Sequence, residues 1–434
     1  MVVRSPEKTT MLAYLVYFGL PVALLILGFP IFLILVVTAI VAVLFVTDIP
    51  TEAIQTYMFG SLDNFPLLAV PFFVLAGEIM AQGGIARRVI AMVMAIVGGA
   101  RGSLAVTTVA ASELFGAMSH TAVGTVVAMG RMIYPSLKEG GYNDRFAVGL
   151  IASSGAIAVV IPPSIAMILY SITAEQSAIL LFTAGILPSI LIGLMDAAFV
   201  MSYAKMKGVP RGARAGWVTI WKTTKDACWA LGTLVVIFGG IYGGVFTPTE
   251  AAGVAVVYSL FVTMFVYREV RITGLWRILT DSAFLISQIL LIVTSAGIYS
   301  WLLTTSGIPQ QIVSAINGLH MSRWELLLTL NLGLLVAGSF LEPPAAILIL
   351  TPLLLPIVKA AGVNAIHFGI IVAVNLSLGM YTPPFGLNLF SSQAIFNAPL
   401  SRIYLGVLPF LLVNFLALMI ITYIPAISMV LVGR

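Results

Sequence analysis

The chain has 434 residues, of which 60% are apolar and 9% are charged, and its mean hydropathy is +1.11. A soluble globular domain does not have this composition, so we predict an all-α polytopic membrane protein embedded in a lipid bilayer. The formal net charge of +5 does not indicate nucleic-acid binding, because the Lys and Arg residues lie in short loops, where they orient membrane helices. The single cysteine excludes an intrachain disulfide.

Apolar stretches long enough to cross ~30 Å of hydrocarbon follow one another along the chain. In chain order they cover residues 11–27, 30–46, 65–82, 103–134, 145–174, 178–203, 229–246, 249–267, 281–303, 324–357, 366–396 and 404–428. Residues 1–10 carry Arg4 and Lys8 and precede an apolar run that is too long for a removable signal peptide. The first stretch is therefore predicted to remain as a membrane segment.

The second half of the chain repeats the helix-breaking residues of the first half. Identical residues stand 221 positions after Pro135, Lys138, Gly141, Asn143, Pro162, Pro163, Ser171, Gly185, Leu187 and Pro188. Paired interruptions in corresponding hydrophobic segments are typical of transporters built from two structural repeats, and they indicate where such transporters bind substrates and ions.

Loop charges predict that the two repeats have opposite orientations. The basic segment 205–225 indicates the cytoplasmic side. The arginines at 87–88 correspond to glutamines at 310–311, as expected if equivalent loops lie on opposite sides of the membrane. Basic residues flank block 103–134 on both sides, which predicts a re-entrant hairpin from the cytoplasm. By symmetry, 324–357 is predicted to be the opposed hairpin.

We therefore expect two inverted-topology repeats with about ten transmembrane crossings and two opposed re-entrant hairpins. The first repeat is predicted at 11–203, with its hairpin at 103–134 and a broken helix at 145–174; a basic cytoplasmic linker follows at 204–228; the second repeat covers 229–428, with its hairpin at 324–357 and a broken helix at 366–396.

The interruptions in the hairpins and broken helices predict a binding site. Proline inside an apolar run breaks the helix, and the freed N–H and C=O groups need partners within the protein or in a water-filled cavity. Unwound carbonyls with Ser and Thr hydroxyls suit a hard cation such as Na⁺, whereas half-helix N-termini favour anions. One such break is more often a simple kink, but four paired breaks favour a site. We expect ion binding by Gly116, Ser119, Thr121, Gly338, Glu342 and Thr382, and substrate binding by Ser154, Pro162, Pro163, Ser164, Pro383, Pro384 and Asn388.

Ionisable residues within apolar runs are further candidates, because charge inside a membrane is costly. Glu342 lies in a break and is assigned to ion binding or gating, with a helix cap as the alternative. Glu113 belongs either to the site or to a hydrogen bond across the first hairpin, whereas Glu78 is expected to be structural and Asp196 to snorkel or pair near an interface. His120 is expected to form a local hydrogen bond rather than a proton relay.

Five motifs make the chain resemble the large membrane subunit of TRAP (tripartite ATP-independent periplasmic) transporters, the DctM type. They are Gly-Ala-Met-Ser-His-Thr-Ala-Val at 116–123, Ile-Pro-Pro-Ser at 161–164, Gly-Gly-Val-Phe-Thr-Pro-Thr-Glu-Ala-Ala at 243–252, Gly-Ser-Phe-Leu-Glu at 338–342 and Tyr-Thr-Pro-Pro-Phe-Gly at 381–386. The family usually has Ser-Gly-Ser where this chain has Ser119-His120-Thr121. Both hydroxyl positions are kept, and the middle residue is bulkier.

The resemblance implies an elevator-type, sodium-coupled importer of organic anions in a bacterial inner membrane, with sodium ions as the coupling ions. It also implies two partners, a small four-helix membrane subunit and a periplasmic substrate-binding protein. The hairpin-bearing part would slide against a static scaffold, expected at 11–46, 178–203, 229–267 and 404–428. The sequence does not identify which organic anion is carried.

Two other kinds of function stay open. A stand-alone ion or carboxylate symporter or exchanger of related fold would need no binding protein. A membrane-embedded enzyme or a passive assembly subunit is disfavoured, because the sequence lacks a P-loop and the Gly-x-Ser-x-Gly, His-Glu-x-x-His and Cys-x-x-Cys motifs. We expect no enzymatic activity and no cofactor other than the coupling ions.

Overall fold

A computed structural model describes residues 11–212 and 214–433 of the chain, so the prediction for residues 1–10 lies outside the described part. Helices joined by short turns make up this part of the molecule. In chain order they are α1 (Met11–Ile26), α2 (Ile31–Phe45), α3 (Glu52–Gly60), α4 (Phe65–Gln82), α5 (Ile85–Val97), α6 (Ser103–Ser119), α7 (Ala122–Glu139), α8 (Asp144–Ala156), α9 (Ile165–Thr173), α10 (Ala178–Met206), α11 (Trp217–Tyr242), α12 (Pro248–Val266), α13 (Ile272–Thr305), α14 (Ile308–Gly318), α15 (Arg323–Phe340), α16 (Pro343–Ala360), α17 (Ala365–Gly379), α18 (Leu387–Phe396), α19 (Leu400–Tyr423) and α20 (Ala426–Met429).

Many of these helices have the length and composition of membrane-spanning segments. Among the described residues, seven helices meet both criteria, namely α4, α10, α11, α12, α13, α16 and α19. Helices α1, α2 and α17 are equally apolar but shorter. The predicted class of an all-α polytopic membrane protein is confirmed.

The helix bounds of the first half recur in the second half. Helices α7 and α16 begin 221 residues apart, and so do α8 and α17. The repeated residues between them have a local role: Gly141 and Gly362 adopt positive φ values of 81° and 70°, which glycine accepts without strain. The side chains of Asn143 and Asn364 then cap α8 and α17 by accepting hydrogen bonds from backbone N–H groups.

The helices pack into two units. The hairpin unit contains α6–α10 and α15–α19 (103–206 and 323–423), and the framework unit contains α1–α5 and α11–α14 (11–97 and 217–318), of which α5 and α14 also pack on α6 and α16 of the hairpin unit. Inside the hairpin unit, helices of one half pack on helices of the other half. Helix α8 packs on α19 and α17 on α10, and in the same way α7 packs on α18 and α16 on α9. In the framework unit, α4 packs on α12, α5 on α11 and α2 on α13.

The packing places two segments differently from the sequence prediction. Residues 178–203 and 404–428 are expected in the static scaffold, but α10 and α19 pack against the broken helices of the hairpin unit. A close approach of two glycines explains the contact of α8 with α19, since a Cβ atom on Gly149 would overlap the backbone of Gly406. Such long-range contacts leave no local pattern in an unbroken apolar helix.

Two predicted loops are partly helical. Arg87 and Arg88 lie on α5, whose opposite face is buried through residues such as Val89, because apolar residues recur there at helical spacing. The basic linker predicted at 204–228 overlaps two helices, since α10 extends to Met206 and α11 begins at Trp217.

Candidate functional site

The tip of the first hairpin lies between α6 and α7. His120 has a left-handed backbone, with φ of 56°, and its N–H donates to the Gly116 carbonyl at 2.9 Å. The Ser119 and Thr125 hydroxyl oxygens are 3.0 Å apart, and Thr125 also donates to the Thr121 carbonyl at 2.9 Å. The two hydroxyl residues of the predicted ion site are thus held in one compact turn.

His120 connects this tip to the first broken helix. Its Nδ1 lies 2.9 Å from the Pro163 carbonyl oxygen. Because a carbonyl only accepts, Nδ1 is the donor, and the other nitrogen of a neutral ring, Nε2, carries no proton. Nε2 is buried and has no hydrogen-bond partner among the described residues. The local hydrogen bond predicted for His120 is present.

The first broken helix is interrupted between α8 and α9. The chain forms a short 3₁₀ turn at Ile157–Val159 and passes through the Pro162–Pro163 cis bond. The Ser164 hydroxyl then donates to the Val159 carbonyl at 2.5 Å, just before α9. Gly116 lets the hairpin approach this segment, because a Cβ atom there would lie 2.8 Å from that of Ala158. We call the contact of 116–121 with 157–164 the first junction.

The second hairpin and the second broken helix meet in an equivalent way. Glu342 occupies the N-cap position of α16, but its side chain makes no capping hydrogen bond, so the structural cap considered for it is not formed. Gly338 packs against the end of α17, where a Cβ atom would lie 3.3 Å from the Gly379 Cα atom. Thr382 donates to the Leu378 carbonyl at 2.8 Å. We call the contact of 338–344 with 379–386 the second junction.

Residues within and just after this junction tie it to neighbouring helices. The Pro383–Pro384 bond is cis, and the Pro384 carbonyl accepts a hydrogen bond from the Tyr404 hydroxyl at 2.8 Å. Asn388 is fully buried and donates to the Ala152 carbonyl of α8 at 3.0 Å. Its amide therefore joins the second break to the first broken helix.

A further hydrogen bond joins the two broken helices directly. The Ser377 hydroxyl of α17 donates to the Ala156 carbonyl of α8 at 2.7 Å, and these two positions are 221 residues apart in the chain. Equivalent points of the two halves therefore meet in the interior of the hairpin unit, between the two junctions.

A cavity of about 730 Å³ lies between the two units. Both hairpin tips and both breaks line it on one side, and α4 and α13 line it on the other. Four helices of the hairpin unit begin at its wall, because Ala122, Ile165, Pro343 and Leu387 line it and are the first residues of α7, α9, α16 and α18. Their N-terminal ends therefore converge on one space.

Three of the residues predicted for the site line this cavity, namely Thr121, Ser164 and Glu342. The others do not line it. Gly116, Ser119, Pro162 and Pro163 belong to the first junction, Gly338, Thr382, Pro383 and Pro384 belong to the second, and Ser154 and Asn388 are buried in the adjoining helices.

Several polar residues that line the cavity are not assigned to the site from the sequence, where Glu78 is expected to be structural. Arg131 of α7 lines the cavity and forms no ion pair with the described residues. In the sequence it counts only as one of the basic residues that flank the first hairpin and predict its orientation. Glu78, Gln82 and Gln288 of the framework unit also line the cavity. Helical spacing is the signal for Arg131, because Thr121, residues 124 and 128, and Arg131 lie on one face of α7.

Comparison with known proteins identifies the family. The model for the tripartite ATP-independent periplasmic transporter, DctM component, matches residues 18–427. The chain belongs to this family. It is 41% identical over 374 residues to the C4-dicarboxylate TRAP transporter large permease protein DctM of Pseudomonas aeruginosa, covering 86% of this chain and 88% of that protein. It is 37% identical over 386 residues to the isethionate TRAP transporter permease protein DctMQ of Oleidesulfovibrio alaskensis, covering 89% of this chain and 61% of that protein.

A solved structure supports the same fold. The YdaH transporter of Alcanivorax borkumensis superimposes with a TM-score of 0.61 at 13% identity, covering 93% of this chain and 97% of that one. The predicted family resemblance is confirmed, and the chain is a multi-pass TRAP large permease subunit, which belongs to a family of transporters rather than enzymes. The family is tripartite, as its description states.

Cysteine labelling tests the boundary of the cavity. With the exposed Cys228 replaced by serine, the Ser391→Cys variant should react with a charged, membrane-impermeant thiol reagent, because Ser391 lines the cavity. The Ser154→Cys variant is the matched control and should stay unmodified, since Ser154 is fully buried. Equal labelling at the two positions would contradict the boundary described above.

Proposed function

We propose that this DctM-family chain is a sodium-coupled permease that binds an organic anion in the cavity between its hairpin tips. The convergence of four helix N-termini on the cavity carries the proposal. Each N-terminus presents unpaired backbone N–H groups and the positive end of a helix dipole, which together favour a negatively charged ligand. The guanidinium of Arg131, which lines the same space, adds a full positive charge suited to a carboxylate.

The two junctions are the proposed sodium sites. Sodium is a hard cation that prefers oxygen ligands, and the breaks supply carbonyl oxygens next to the side chains of Ser119, Thr121 and Thr382. Buried oxygen atoms without partners fit this role: the Ser154 hydroxyl one turn before the first break, and Asn388 Oδ1 after the second. Glu342 would add a negative charge at the cavity wall.

Coupling follows from the positions of these sites. Sodium bound at the junctions neutralises Glu342 and orders both hairpin tips, so that the cavity binds an anion more tightly. Because linkage is reciprocal, the bound anion also increases the affinity for sodium. Sodium and the anion therefore bind together and are carried together.

The proposed movement is a displacement of the hairpin unit against the framework unit. The cavity lies between these units, so their relative motion opens it to opposite sides of the membrane. We propose that the two halves are inverted-topology repeats with opposed hairpins, in a bacterial inner membrane with the basic segment 205–225 in the cytoplasm. The elevator then moves the site rather than reshaping it.

We also propose two partners. A periplasmic substrate-binding protein would deliver the anion, which agrees with the tripartite description of the family. A small four-helix membrane subunit would pack on this chain. The DctMQ relative supports this proposal, because this chain covers only 61% of its length. The dicarboxylate and isethionate named for the two relatives are both organic anions.

Substitutions at the junctions test the sodium sites. Ser119→Ala and Glu342→Gln each remove one oxygen ligand or its charge, and we expect the sodium concentration for half-maximal uptake to rise at least about tenfold, since such a contact contributes roughly 1.5–3 kcal/mol. Uptake is measured in proteoliposomes that contain the complete transporter and its binding protein. Glu139→Gln, at the exposed end of α7, is the control with unchanged sodium dependence. Normal sodium dependence in both junction variants would refute the assignment.

Substitution of Arg131 tests anion recognition. Arg131→Gln should raise the substrate concentration for half-maximal uptake about tenfold, because a charge-assisted hydrogen bond to a carboxylate is lost. Arg131→Lys keeps the charge but not the two-pronged geometry, so a smaller increase is expected. Arg145→Gln, at an exposed position of α8, serves as the control. If Arg131→Gln behaves like Arg145→Gln, Arg131 does not bind the anion.

A further inference from the structure

Two acidic side chains lie next to each other inside the hairpin unit, and neither lines the cavity. Glu113 belongs to α6, and Asp196 belongs to α10 and is fully buried. A Cβ atom on Gly193 would collide with the Glu113 carboxylate, and Gly193 lies one turn before Asp196 on the same helix face. The two carboxyl groups are close enough to interact electrostatically.

Asn414 of α19 links this pair to the second break. Its side-chain amide nitrogen lies 3.4 Å from Asp196 Oδ2 and donates to the Tyr381 hydroxyl at 3.0 Å. Tyr381 lies in the second junction, directly before Thr382. The acidic pair therefore includes a residue of α6 in the first hairpin, and Asn414 connects the pair to Tyr381 at the second break.

The pair has no cationic partner in the described part of the chain. No Lys, Arg or His there forms an ion pair or hydrogen bond with either carboxyl group, and Tyr381 is the other titratable group beside Asp196. Three buried oxygen atoms, Glu113 Oε1, Asp196 Oδ1 and Asn414 Oδ1, also lack a hydrogen-bond donor. Two ionised carboxylates at such a place would be strongly destabilising.

The chemistry of these atoms favours a proton over sodium. A sodium ion needs a full shell of oxygen ligands, whereas three oxygen atoms without partners are found here. A proton shared by two carboxyl groups removes one negative charge and supplies the missing donor, as in other pairs of adjacent carboxyl groups.

We propose that Glu113 and Asp196 share one bound proton, and that this proton holds α6 against α10 and keeps Asn414 in place beneath the second break. Loss of the proton leaves two negative charges facing each other, separates the two helices and shifts Tyr381. Uptake should therefore decline at alkaline pH.

Infrared spectroscopy of the reconstituted complete transporter tests the bound proton without any transport assay. The wild type should show the carbonyl band of a protonated carboxylic acid at neutral pH, and the band should disappear on alkaline titration. Glu113→Gln and Asp196→Asn should each abolish this band, whereas the exposed control Glu139→Gln should keep it. A wild type without the band, or a band retained in both variants, would overturn the proposal. A band that appears only when sodium is removed would identify a sodium site instead and would equally overturn it.

The pH profile of uptake provides the second test. In the wild type, uptake should fall by about tenfold per pH unit above the point at which the pair loses its proton. The double variant Glu113→Gln/Asp196→Asn is permanently neutral and of nearly the same size, so its uptake should not decline in that range. Identical profiles for the two proteins would contradict the proposal, whatever the outcome for the sodium sites.

Discussion

The structure depends on one constraint: a backbone N–H or C=O group inside a membrane needs a partner within the protein or in a water-filled cavity. This chain interrupts four of its apolar segments, and each interruption frees several such groups. The structure places all four together, so that each hairpin tip packs on one broken helix and the free helix ends face a shared cavity of about 730 Å³. The breaks that would be costly in lipid instead line a cavity inside the protein.

The two halves share this architecture but differ in chemistry. The first tip offers hydroxyl groups and the His120 ring, which is fixed by its hydrogen bond to Pro163, whereas the second tip offers the carboxylate of Glu342, which caps nothing. An organic anion placed between them meets helix N-termini from both halves but a different set of side chains on each side. The asymmetry of the repeat is therefore concentrated at the cavity, while Gly141, Asn143 and their counterparts preserve the shared turns.

Local features could be predicted from the sequence, whereas long-range packing could not. The breaks at 162–163 and 383–384 and the turn of the second hairpin at 343–344 follow from proline, whose effects act within a few residues. The place of α10 and α19 in the hairpin unit depends on contacts between distant segments, such as Gly149 with Gly406, which an unbroken apolar helix does not reveal. Arg131 is missed for a related reason. Its positive charge also fits a residue at the end of a membrane segment, and only the fold shows that its face of α7 meets the cavity.

The central claim is that the hairpin unit moves as a body against the framework unit. Distances between spin labels at exposed positions of the complete transporter test it most directly. The account predicts that the distance between Lys138 and Lys222, one in each unit, changes when sodium and substrate-loaded binding protein are added. The distances from Lys138 to Lys205 and from Lys222 to Thr304, each within one unit, should stay the same. An unchanged distance between Lys138 and Lys222, or equal changes within the units, would contradict the account.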